Sequence, residues 1–225
     1  MLSSPINTVS CSLAAIFTCL FSQASLASTQ RNLLIFGDSL SAVYGVSGEE
    51  AWPSLLQKKL NKEFSTDHYR VINLSISGET TEGGLLRLPQ ALKQYKPNII
   101  VLELGVNDGF RGESLKAMQA NLQKMIDLSR EANAVVMLAA VEMSFNHGQR
   151  YTNAFDQVFS ELGQNNEVIL MSFISLEELK ASPGLLQADG VHPSNQAQPV
   201  ILKRLWNYLK PVLQLVDNEK GLRPW

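Results

Sequence analysis

Thiols are almost missing from this sequence: of 225 residues only Cys11 and Cys19 are cysteine. Both fall within the first 27 residues, so the rest of the chain can form no disulfide, offer no thiolate nucleophile and build no Cys-based metal site. Histidine is scarce too, with three in the chain. An excess of charge of one sign is also lacking. Nineteen Lys and Arg stand against 21 Asp and Glu, for a formal charge of −2 and a pI near 5.9, and the basic residues are scattered. Such a chain has no electrostatic footprint for a polyanion, so nucleic acid is not expected as a partner. No repeat, low-complexity tract or Pro/Gly/Ser-rich linker divides it, and its length suits one domain with a substantial core.

Charge is wholly absent from the start of the chain, where no Lys, Arg, Asp or Glu precedes Arg31. LAAIFTCLF (13–21) is an apolar core, too short for the roughly 20 apolar residues of a bilayer span. Ser25 and Ala27 stand at −3 and −1 of a small-residue cleavage site. This is the layout of a secretory leader without its usual basic segment. Residues 1–27 are therefore expected to be a signal peptide and 28–225 a single domain, delivered across the inner membrane to the periplasm or, alternatively, to the medium. The mature chain is expected to be a monomer without a stable membrane span; a retained membrane-proximal anchor is the alternative.

What is present is an alternation of short apolar runs and longer helical patterns. LLIF (33–36), RVINLS (70–75), NIIVLEL (98–104), AVVMLAAV (134–141) and EVILMS (167–172) are near-continuous apolar runs, as in strands covered on both faces. Helical patterns fall at 53–63, 80–95, 114–131, 151–163, 175–180 and 196–214. Pro53 sits at a first-turn position, while Pro89 is expected to kink or divide its helix. The order implies right-handed crossovers, hence an α/β three-layer sandwich, flavodoxin-like, with a central five-stranded parallel sheet. Ligands of such sheets bind beyond the carboxyl ends of the strands.

Those ends carry the polar segments GDSLS (37–41), SISGETT (75–81) and GVNDGFRG (105–112), and the loop before the last helix carries ADGVHPSNQ (188–196). Asp189 lies three residues before His192, with Gly190 between them and Pro193 after. At that spacing a carboxylate can hold the imidazole through Nδ1 and leave Nε2 for a hydroxyl. An ordinary surface hydrogen bond is the commoner explanation of such a pair taken alone. Ser39 is placed as a nucleophile at a strand end, though a lone serine there is more often a helix N-cap. Asp38 is a poor partner for it, since no histidine is near in sequence and adjacent side chains diverge. Gly78 can offer a backbone N–H and Asn107 a side-chain amide to a developing oxyanion, although both residue types also serve plain turns.

Taken together and in order, GDSLS, SGET, GVND and DGVHP resemble the four sequence blocks of the SGNH, or GDSL, hydrolase family, from LLIFGDSLSAVYG to DGVHPSNQAQP. AWPSLL, LRLPQALKQYKPN and ELGVNDGFRG further resemble its secreted bacterial subgroup of acyl-CoA thioesterase, lysophospholipase and arylesterase enzymes. The resemblance implies that Ser39 is the nucleophile, His192 the general base and Asp189 its orienting acid. It also implies an oxyanion hole made by the Ser39 and Gly78 N–H groups and the Asn107 amide. Ser41 and Asp38 match no catalytic position. The substrates implied are small-molecule acyl esters or thioesters, with no metal and no organic cofactor. A carbohydrate O-acetyl esterase with the same triad is the alternative, and a non-catalytic flavodoxin-like binding module a remote one. The sequence departs from the pattern at Val106, where close relatives often carry a second glycine, and in VEMSFNHGQRY after the fourth strand. Leu85, Phe110, Met143 and Phe145 are candidates for an apolar acyl groove, ordinary packing being the alternative, and GFRGE (109–113) reads as a mobile lip beside it.

Overall fold

The computed structural model describes residues 30–218 except 65, 143–146 and 166–167. Five strands form one sheet: β1 (Arg31–Gly37), β2 (Tyr69–Asn73), β3 (Ile99–Glu103), β4 (Val135–Ala140) and β5 (Ile169–Ser172). Every pairing is parallel and the order is β2-β1-β3-β4-β5. Leu33 to Phe36 and Ile99 to Leu102 are fully buried, so both faces of β1 and β3 are covered. That is why their sequences are continuous apolar runs rather than alternating ones.

The covering helices are amphipathic. On one side α1 (Trp52–Glu63) packs against α7 (Gln198–Asn218); on the other α2 (Thr81–Tyr95) packs against α4 (Leu115–Glu131), which in turn meets α5 (Gln149–Asn165). Two short helices, α3 (Val106–Arg111) and α6 (Leu176–Ala181), follow β3 and β5. Each crossover climbs back to the start of the next strand, so all five carboxyl ends share one edge. The strand order reverses direction between β1 and β3, and this switch point opens a crevice at that edge.

Pro89, expected to kink or divide its helix, does not divide it: α2 runs as one helix from Thr81 to Tyr95. Its side chain is exposed while Gly84, Leu88, Ala91 and Leu92 are buried, so the apolar face holds the helix together on the sheet. The connection after β3 is not a plain loop either, because residues 106–111 form α3, ended by Gly112 in the left-handed region. The leader expected at 1–27 lies outside the described residues.

The inner strands hold the core, so shortening one side chain there is costly. Leu102→Ala in β3, where Leu102 is fully buried, is expected to lower unfolding free energy by about 2–5 kcal/mol in urea titration.

Candidate active site

Residues after β1 do not enter a helix. Ser41 and Ala42 N–H groups turn back to the Asp38 carbonyl at 3.2 and 2.8 Å, and α1 begins only at Trp52. Ser39 is thus no helix cap; it stands half-buried on a tight turn at the carboxyl end of β1. Trp52 braces this turn by donating its indole N–H to the Leu40 carbonyl at 3.2 Å.

The segment before α7 folds into a narrow hairpin. Gln187 N–H bonds the His192 carbonyl at 2.9 Å, Ser194 N–H bonds the Leu185 carbonyl at 2.7 Å, and Gly190 turns the tip at φ 70°. Asp189 Oδ1 accepts the backbone N–H groups of Val191 and His192 at 2.9 and 3.0 Å. Asp189 Oδ2 lies 2.7 Å from His192 Nδ1, and His192 Nε2 lies 2.8 Å from Ser39 Oγ. Because Asp189 only accepts, the ring proton belongs on Nδ1, leaving the Nε2 lone pair for the serine hydroxyl. Burial opposes the Asp189 charge, but the His192 and Val191 backbone N–H groups and the imidazole outweigh it and draw the carboxyl down to about 2.

Gln187 joins the hairpin to the nucleophile loop, donating from Nε2 to the Tyr44 and Pro193 carbonyls at 2.8 and 2.9 Å. The Tyr44 ring then lies against the His192 ring, 4.4 Å between centroids. The contacts of Tyr44 with Gln187 and with His192 are far from local in sequence. Gln187 and Tyr44 carried no signal in an isolated chain, because their roles arise only once the two loops meet.

Asn107 sits in the first turn of α3, beyond β3. Its Nδ2 donates to Asp38 Oδ2 and to the Glu79 carbonyl, both at 3.0 Å. Gly78, next to Glu79, has φ 79° with nothing within 4 Å of where a Cβ would stand, so its backbone faces open space. Its carbonyl accepts Arg111 Nη2 at 2.9 Å, which ties the loop after β2 to α3. Of the segment read as a mobile lip, 109–113, the first three residues belong to α3 and Arg111 carries this tie. The Ser39 and Gly78 N–H groups meet no acceptor among the described residues.

A groove of about 380 Å³ opens over Ser39, Asn107, Asp189 and His192, with Leu40, Tyr44, Val106, Phe110 and Val191 as its apolar walls. Phe110 is therefore placed as expected. Leu85 is not: it lies on α2, partly buried and packed against the core, away from the groove lining. Met143 and Phe145 lie outside the described residues. Ser41, fully turned inward, donates its hydroxyl to Glu103 Oε2 at 2.7 Å and cannot reach the groove. Sequence reasoning passed over Glu103; the available signal was one acid inside the apolar run of β3.

Comparison with known proteins agrees with this geometry. The GDSL-like Lipase/Acylhydrolase family matches residues 35–198. Esterase TesA of Pseudomonas aeruginosa is 42% identical over 194 residues, covering 86% of this chain and 94% of the relative. Thioesterase 1/protease 1/lysophospholipase L1 of Escherichia coli K12 is 38% identical, covering 83% and 87%. The arylesterase of Vibrio mimicus is 44% identical, covering 83% and 90%. A solved TesA structure, 42% identical, overlays with a TM-score of 0.75 across 81% of this chain and 99% of its own. The chain belongs to the GDSL-like lipase/acylhydrolase family and is an ester hydrolase.

Proposed function

We propose that the chain hydrolyses small-molecule carboxylic esters and thioesters by two-step acyl transfer through Ser39. The observation that carries this reading is the unbroken Asp189–His192–Ser39 chain, 2.7 and 2.8 Å long, opening on an apolar-walled groove. His192 Nε2 takes the hydroxyl proton as Ser39 Oγ attacks the acyl carbonyl. The Ser39 and Gly78 N–H groups and the Asn107 amide receive the oxyanion. The protonated imidazole then gives its proton to the departing alcohol or thiol. In the second step His192 activates water, and the acyl group leaves as a carboxylic acid. Aryl esters, acyl-CoA thioesters and lysophospholipids, the kinds of substrate for which the relatives are named, each offer an acyl chain for the groove and a leaving group for His192. Triad, amide and groove all come from one chain, which supports a catalytically complete monomer.

We also infer export: residues 1–27 act as a leader removed after Ala27, delivering the enzyme to the periplasm. Mass spectrometry of the protein purified from the envelope fraction is expected to begin it at Ser28; a retained Met1 overturns this.

Ser39→Ala is expected to lower p-nitrophenyl ester turnover by at least about 10⁴-fold and to abolish fluorophosphonate labelling. Ser41→Ala is expected to keep the labelling and to lose stability, on the order of 1–3 kcal/mol for a hydrogen bond to a buried carboxyl. Equal loss of labelling in both variants refutes the assignment.

Asp189→Asn is expected to cut kcat by about 10⁴-fold, because an amide holds the wrong tautomer of His192, while circular dichroism remains unchanged. The folded pKa of Asp189 is depressed, so its contribution is present above the unfolded value and lost only as pH falls through about 2. The acid limb of kcat/KM should therefore lie well above pH 2 and report a group other than Asp189.

A further inference from the structure

Of the buried acids among the described residues, the mechanism uses none: Asp108 is bonded to Thr81, and Asp38 and Glu103 remain. Asp38 and Glu103 are both fully buried, at the touching ends of β1 and β3, where Gly37 pairs with Glu103. A Cβ on Gly37 would stand 2.5 Å from Glu103 Oε2, so glycine at the head of GDSL makes room for this carboxyl. Among the described residues neither acid forms a salt bridge. The nearby Asp108 on α3 adds a further unfavourable charge at Asp38.

The donors around the two acids are unequal. Asp38 Oδ1 accepts the Leu40 N–H and Oδ2 accepts the Asn107 amide, each at 3.0 Å. Glu103 Oε2 accepts the Ser41 hydroxyl at 2.7 Å and, at 3.4 Å, the Asp38 N–H. Glu103 Oε1 has no donor. The Asp38 N–H and the Ser41 hydroxyl both point at Glu103 Oε2, so the two acids share one buried spot and the charge of Asp38 opposes that of Glu103. Two carboxylates so placed, without a cation, cannot both be ionised. Asp38 has N–H donors on both oxygens and Glu103 Oε1 has none, so the proton belongs on Glu103, where it turns an orphaned acceptor into a donor.

The resulting Asp38 carboxylate decides how Asn107 stands. The two acceptors at Nδ2, Asp38 Oδ2 and the Glu79 carbonyl, both demand the NH₂ end of the amide. A flipped amide would press Oδ1 against a carboxylate and a carbonyl; in the upright amide both Nδ2 hydrogens face those acceptors at rest, so an oxyanion engages one of them as a shared, three-centre donor. We propose that Asp38 and Glu103 hold one proton between them, carried on Glu103, and that this pair is the positioning unit keeping the Asn107 amide aimed as a donor at the reacting carbonyl. The proposal rests on the reading of Asn107 as an oxyanion-hole group. Burial, and then the charge of Asp38, push the Glu103 carboxyl well above its ordinary range, while burial raises Asp38 to about 7. Both carboxyls are thus raised by the burial they share, and the donor pattern decides which of them holds the proton.

A double-mutant cycle on p-nitrophenyl butyrate tests the positioning. Asn107→Ala is expected to lower kcat by about 10²–10³-fold. Asp38→Asn is expected to lower kcat by at least about tenfold with KM within about threefold, since it removes transition-state and not ground-state binding. In the Asn107→Ala background, adding Asp38→Asn should cost less than about twofold. The same loss in both backgrounds overturns the positioning role and leaves the oxyanion hole standing. Wild-type turnover by Asn107→Ala overturns the oxyanion reading itself, and the proposal with it. Infrared spectra of enzyme carrying ¹³C-labelled glutamate test the proton directly, even if Asp38→Asn does not fold. A protonated-carboxyl band is expected in the wild type at neutral pH and absent from Glu103→Gln. A wild type without that band overturns the shared proton.

Discussion

The pairing of β1 with β3, from Leu33↔Ile99 to Gly37↔Glu103, is the contact on which the rest of the site depends. It brings the turn that carries Ser39 beside the helix that carries Asn107, although 68 positions of sequence separate them. The pairing holds because each strand is apolar on both faces and each face is covered by helices. It also makes the sheet reverse its order there, and the crevice that results is where the groove lies.

Polar chemistry at the end of so apolar a pairing has a cost, and the structure meets it in two different ways. On the solvent side, Asp189 is surrounded by donors and stays ionised, which suits a group that must steady an imidazolium. On the inner side, Asp38 and Glu103 lack a cation and are raised by burial, which suits a pair that retains a proton. Carboxyls of like chemistry thus take opposite states within one site: Asp189 and Asp38, which meet N–H donors, are carboxylates, whereas Glu103, with one buried oxygen lacking a donor, keeps the proton.

Much of the architecture was legible in the residues. Continuous apolar runs marked all five strands, and the helical patterns fell within a few positions of the observed helices. The misreadings have local causes. Pro89 looked like a helix breaker, but tertiary packing along the buried face of α2 overrides that local preference. GVNDGFRG looked like a loop because its glycines hide a single helical turn. Leu85 looked like a groove residue from its nearness to SGET, whereas the helical phase of α2 turns it to the core.

The sequence by itself determined the layered α/β fold, the identity of the nucleophile loop and the presence of an acid and imidazole three residues apart. Periodicity and short-range spacing carry that information. Only the tertiary structure decided that Ser41 turns inward to Glu103, that Tyr44 and Gln187 hold the imidazole loop, and that Asp38 serves Asn107 through a pair with Glu103. The contacts that join these segments reach across 62 positions of chain or more, and no local pattern records which oxygen will be left without a donor when strands meet.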